Sequence, residues 1–142
     1  VPRHVRRLAC FVAALTSTAP QAAETVACHI TYGGVTQLIE ARPTTTPYEL
    51  APVAIGSYFL FRIVFRQEPA DLAGIKLYAY VDRDSGPALI HQASYAYPIW
   101  HQCHNPVVSP GLHYVYEPVR DSELQYWCEQ KAGADKMSQK AG

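Results

Sequence analysis

Two imidazoles and a thiol fall close together in the segment PIWHQCHNP, residues 98–106. His101, Cys103 and His104 could offer nitrogen and sulfur to zinc or copper, metals that accept imidazole and thiolate in one coordination sphere. His91 and His113, distant in sequence, are the imidazoles that could complete such a set. No CxxC or HExxH motif accompanies them, and the single methionine, Met137, lies in the C-terminal tail, away from where a blue-copper site would use it. The simpler expectation is a proline-bounded loop with its histidines in water and Trp100 packed over the end of the core. The leading reading therefore has no cofactor, and copper or zinc is the alternative.

Covalent catalysis finds less support. Ser57, in IGSYF, is not in a G-x-S-x-G elbow, and no glycine-rich phosphate cradle is present. Asp82 and Asp84 belong to DRDSGP, a cluster of turn-forming residues. The expectation is a protein without enzymatic activity.

The ten tyrosines are the second candidate surface. Tyr78 and Tyr80 should project from the same outward face as Lys76, with Tyr95, Tyr97, Tyr114 and Tyr116 on strands expected nearby. A tyrosine buries apolar area while keeping a polar tip, which suits protein interfaces and sugar platforms. Tyr78, Tyr80 and Trp100 are the candidate partner-binding residues.

The elements that must position these residues are strands. From Cys28 onward, apolar residues recur with period two, and turn residues interrupt them every eight to twelve positions or so, the pattern of an all-β chain. ACHITY and VTQLIEA flank Gly33-Gly34, a hairpin signal. RPTTTPYELAP holds three prolines, which lack amide donors, and reads as a loop or irregular edge. In YFLFRIVFR, Phe59, Phe61, Ile63 and Phe65 share the core face, and Tyr58, Arg62 and Arg66 the other. IKLYAYV repeats the alternation with Ile75, Leu77, Ala79 and Val81 inward. ALIHQASYAY, GLHYVYEP and ELQYWCE supply the last strands. About seven or eight short strands with no helix of useful length favour an antiparallel β-sandwich, with a small β-barrel as the rival.

In ELQYWCE, Tyr126 two places before Cys128 is similar to the tyrosine corner of immunoglobulin-type sandwiches. The resemblance covers half a dozen residues or so and concerns architecture only. It implies an immunoglobulin-like sandwich and no particular function.

The first 23 residues read differently. Arg3, Arg6 and Arg7 precede an apolar run from Leu8 to Leu15, and small residues follow up to Ala23, the layout of a secretory signal peptide. The run is shorter than the roughly 20 apolar residues of a membrane span. The expected organisation is a signal peptide at 1–23, a β-sandwich domain at 24–130 and a disordered tail at 131–142. Export to the periplasm or the cell exterior permits disulfides. Cys28 shares its face with Ile30 and Tyr32, so a Cys28–Cys128 bridge joining first strand to last is favoured on facing, and pairs using Cys103 compete with it. TVAC also faintly resembles a lipoprotein box, which would acylate Cys28, give a membrane anchor and leave Cys103 to pair with Cys128.

Without Arg3, Arg6 and Arg7, nine Lys and Arg of the twelve remain against twelve Asp and Glu. That mild acidity, with no run of Lys or Arg, argues against nucleic acid and anionic membranes as partners. The sequence thus points to an exported binding or accessory module for another envelope or secreted protein, or for a small ligand.

Overall fold

Side chains that alternate across a strand give each sheet one apolar face, and such a face is stable only when a second layer covers it. The computed structural model describes residues 23–98, 108–109 and 111–132, and within them two four-stranded antiparallel sheets meet face to face. The strands are β1 (Thr25–Tyr32), β2 (Val35–Ala41), β3 (Val53–Ile55), β4 (Phe59–Arg66), β5 (Gly74–Val81), β6 (Ala88–Ala96), β7 (His113–Glu117) and β8 (Ser122–Lys131). The first sheet has the order β2-β1-β8-β7 and the second β3-β4-β5-β6. Among the described residues no hydrogen-bonded ladder joins the two, so the fold is a sandwich and not a closed barrel.

The expected core is the observed one. Phe59, Phe61, Ile63 and Phe65 on β4 and Ile75, Leu77, Ala79 and Val81 on β5 are all buried, facing Val26, Cys28 and Ile30 of β1 and Leu124, Tyr126 and Cys128 of β8. The β1–β2 hairpin turns through Gly33 and Gly34, whose φ values of 58° and 78° lie in the left-handed region that glycine adopts without strain. The proline-rich segment after β2 contains a single 3₁₀ turn, Pro47–Glu49, and then the short edge strand β3, which the period-two pattern had not marked. A register shift between Ala79 and Tyr80 on β5 bulges β6, so that His91, Ala93 and Tyr95 continue inward after Ala88 and Ile90.

Cys28 lies directly opposite Cys128, and the two form a disulfide across a Cα separation of 4.1 Å. The bridge therefore lies within one sheet, whereas the immunoglobulin-type bridge joins two. A sulfur held in a disulfide cannot also carry a thioether-linked lipid, so the lipid-anchor alternative at Cys28 does not apply to this form. Among the described residues, no helix is long and apolar enough to cross a membrane. Residues 1–22 of the expected leader, 1–23, and residues 133–142 of the expected tail, 131–142, lie outside the described residues. β8 continues through Lys131, which pairs with Thr25 of β1, and the Lys131 ammonium bonds Glu40 Oε1 at 2.6 Å.

Each end of the sandwich is stoppered by a carboxylate. At one end Glu117, fully buried at the close of β7, accepts from the Tyr58 hydroxyl at 2.7 Å and from the Val119 and Arg120 amides at 3.2 and 2.9 Å. Arg83 adds its charge at 3.5 Å. Tyr58, expected to face outward with Arg62, is instead buried by this bond, as it precedes β4 and escapes its alternation. At the other end Glu24 Oε2 accepts from the Tyr97 hydroxyl at 2.6 Å and from the Gln67 and Gln130 side-chain amides at 3.3 and 2.9 Å.

Two outcomes follow. Phe61→Ala should lower the unfolding free energy by about 3–5 kcal/mol, as truncation of a buried phenylalanine generally does, measured by urea titration. Replacing Cys28 and Cys128 together with alanine removes a cross-link spanning 100 residues, and should cost roughly 3–5 kcal/mol in the same titration.

Candidate functional site

Alternation that turns phenylalanines inward on β4 turns arginines outward. The outer face of the second sheet carries Arg62, Val64 and Arg66 on β4, Lys76, Tyr78 and Tyr80 on β5, and Gln92 and Ser94 on β6. Cross-strand register sets Arg62 opposite Tyr78, and Val64 opposite Lys76, which in turn lies opposite Ser94. The Arg62 guanidinium lies over the Tyr78 ring, 4.6 Å from its centroid, and 5.7 Å from that of Tyr80. The two tyrosine rings stack on each other with centroids 6.3 Å apart. Cation–π contact holds the Arg62 head in place while leaving its in-plane donors uncommitted.

A groove of about 370 Å³ runs along this face, with Arg62, Arg66, Lys76 and Tyr78 on its strands and Tyr48 and Leu72 on the flanking turns. Its lining contains three cations and no carboxylate. Among the described residues, the ion pairs involve other groups, so Arg62, Arg66 and Lys76 meet no acidic side chain at bonding distance. The Nε–H groups of Arg62 and Arg66 are both shielded from water and lack an acceptor among the described residues. A buried donor without an acceptor ordinarily costs about 1–3 kcal/mol. Such a cost is tolerated where an incoming acceptor removes it.

The outer face of the first sheet holds ion pairs. On the outer face of the first sheet, Glu129 bonds His29 at 3.1 Å and His29 stacks flat on Trp127, with centroids 4.0 Å apart. Glu40 is bonded to Lys131, and that ammonium, with Arg42 contributing more weakly, holds the Glu40 carboxyl below its usual range. A second cleft, of about 390 Å³, contains Glu40 together with Arg42 and Arg62, so opposite charges already meet in it.

Of the expected partner-binding residues, Tyr78 and Tyr80 therefore lie together, half-buried, on the cationic face, whereas Trp100 lies outside the described residues. The other tyrosines expected near them are elsewhere. Tyr95 points into the core side, Tyr97 is bonded to Glu24, and Tyr114 and Tyr116 are exposed on the opposite sheet. They disperse because the bulge reverses the facing of β6 and because β7 joins the other sheet.

His101, Cys103 and His104 lie outside the described residues, and among those described no group of three or more His, Cys, Asp or Glu converges. The structure does bring His113 and His91 together, with ring centroids 6.3 Å apart. Both are engaged by tyrosines. The Tyr126 hydroxyl is 2.7 Å from His91 Nε2, and the Tyr95 hydroxyl is 3.3 Å from His113 Nε2. Tyr126, stacked on His113 at 4.9 Å and hydrogen-bonded to Tyr95, has its hydroxyl pushed far up by burial and then by Tyr95, so it stays protonated. A phenol held neutral is a poor metal ligand.

Sequence reading passed over Glu24, Glu117, Tyr48 and the joint role of Arg62, Arg66 and Lys76. Glu117 was legible in principle, as a carboxylate at an inward position in the alternation of HYVYE. Tyr48 carries no such signal. Neither a family model, nor a curated protein, nor a solved structure matches this chain.

His91 gives the protein a specific acid response. Burial, and then the neighbouring His113, hold the His91 imidazole below its usual 6.5. The unfolded chain therefore binds more protons just below that pH, so the His91 contribution is complete above pH 6.5 and declines as pH falls toward its folded value. Burial pushes the Glu117 carboxyl up, but the Tyr58, Arg120 and Val119 hydrogen bonds and Arg83 outweigh it, and the net shift is downward. Its contribution is lost separately, as pH falls below 4.5. Urea titrations across roughly pH 2–7, a range reaching well below the ordinary values of both groups, should show both declines; His91→Gln should flatten the upper one and leave the lower.

Proposed function

We propose that the chain is an exported binding or accessory module, without catalytic activity, whose recognition surface is the outer face of the second sheet. One observation carries this reading: Arg62, Arg66, Lys76, Tyr78 and Tyr80 share a single uncovered face over a groove with no carboxylate of its own. Arginine and tyrosine are the residue types enriched where protein surfaces make energetically important contacts, since each combines a flat apolar area with directional donors. The Cys28–Cys128 disulfide fits an oxidising compartment, and the partner is accordingly an envelope or secreted protein, or a small ligand present there.

Capture from the secreted or envelope fraction by immobilised protein tests the face. Tyr78→Ser with Tyr80→Ser should reduce capture by about tenfold, the loss of roughly 1.4 kcal/mol, with the thermal midpoint unchanged because neither ring is in the core. Unchanged capture would remove the face from consideration. Intact-mass measurement on material from the native compartment tests export, since a chain still carrying residues 1–23 would contradict it.

A copper- or zinc-binding function is the second reading, favoured by the 6.3 Å approach of His91 and His113. Elemental analysis of protein purified without a histidine tag decides it, as a stoichiometric metal supports this reading and a trace amount ends it.

A further inference from the structure

We propose that the groove on the outer face takes a ring-bearing oxyanion of monosaccharide to disaccharide size, a sugar carrying a carboxylate or phosphate. This inference rests on the reading of that face as the recognition surface and names what it recognises. Three cations line the groove without an acidic counterpart, so the field inside favours an anion. Guanidinium groups match planar or tetrahedral oxyanions with paired N–H donors, and Lys76 adds a compact charge between them. Arg66 lies four strand steps beyond Arg62, about 13 Å along the backbone, so a single small anion touches one arginine, while a ligand with a ring and a charged substituent reaches from one toward the other.

Size and apolar content narrow the class. A volume of about 370 Å³ suits a small molecule rather than a folded domain. Tyr48, 95% exposed, and Leu72, 54% exposed, stand on turns at the groove and offer apolar area with nothing yet against it. A sugar ring matches that mixture, its C–H face lying on an aromatic ring and its hydroxyls meeting Ser94 and the stacked Arg62–Tyr78 pair. Extended polyanions fit less well. The domain carries more acidic than basic side chains and no basic run beyond this groove, so a nucleic acid strand would leave the cationic strip after a short distance and meet repulsion.

Titration calorimetry on the full chain, with galacturonic acid, glucose 6-phosphate and neutral galactose as probes, tests the proposal. Expected is saturable binding of at least one acid, weakened by added salt, with galactose at least about tenfold weaker. Arg66→Ser with Lys76→Ser should reduce acid binding by about tenfold or more, and Lys131→Ser, on the other sheet, should leave it unchanged. Whichever acid binds identifies the carboxylate or the phosphate as the recognised group. Equal binding of galactose, binding insensitive to the Arg66 and Lys76 substitutions, or no binding of either acid would overturn the proposal. Loss of capture in the Tyr78 and Tyr80 variant alongside failure of both acids would leave the face as a recognition surface and remove this ligand class alone. Failure of both assays would remove the face itself.

Discussion

The first strand and the last lie side by side in the middle of one sheet, and the rest of the sandwich depends on that pairing. β1 runs antiparallel to β8 from Thr25 opposite Lys131 to Thr31 opposite Gln125, bringing together residues about a hundred positions apart. Such contacts form only after the entropy of closing a long loop has been met. Once they form, Val26, Cys28 and Ile30 align with Gln130, Cys128 and Tyr126 in turn, and a largely apolar face exists for the second sheet to cover. The disulfide makes the same connection covalently and removes open conformations from the unfolded chain.

The interior is apolar in its middle and polar at its two ends. Glu117 and Glu24 occupy opposite ends of the β8 register, each collecting hydroxyl or amide donors from segments that enter or leave strands. A carboxylate that is buried, as Glu117 is, or part-buried, as Glu24 is, is tolerable only with such partners. Their satisfaction ties the loop before β4, the β7–β8 turn and the segment after β6 to the sheets. The His91–Tyr126 and His113–Tyr95 contacts do the same on the side where β6 and β7 approach.

The cationic face stands apart from this pattern. On the outer face of the first sheet some charged groups are paired, as Glu40 is with Lys131 and Glu129 with His29. On the outer β4–β5 face they are not: two arginines hold shielded donors without acceptors, and one is steadied only by a tyrosine ring. A surface built solely for solubility would intersperse both signs. The proposed oxyanion would supply the sign that this groove lacks.

By itself the sequence determined the β class, the inward set on β4 and β5, the glycine hairpin and the inward facing of Cys28 and Cys128, because a period of two and the φ demands of a tight turn are local properties. It also marked Tyr78 and Tyr80 as outward with Lys76. Only the tertiary structure decided that Arg62 and Arg66 stand beside them over one groove, that Tyr48 borders it, that Tyr114 and Tyr116 belong to the opposite sheet, and that Glu24 and Glu117 cap the two ends. These are matters of which strand lies next to which and where a bulge reverses facing. Strand order and a one-residue bulge depend on contacts between segments remote in the chain, and neither leaves a local periodic mark.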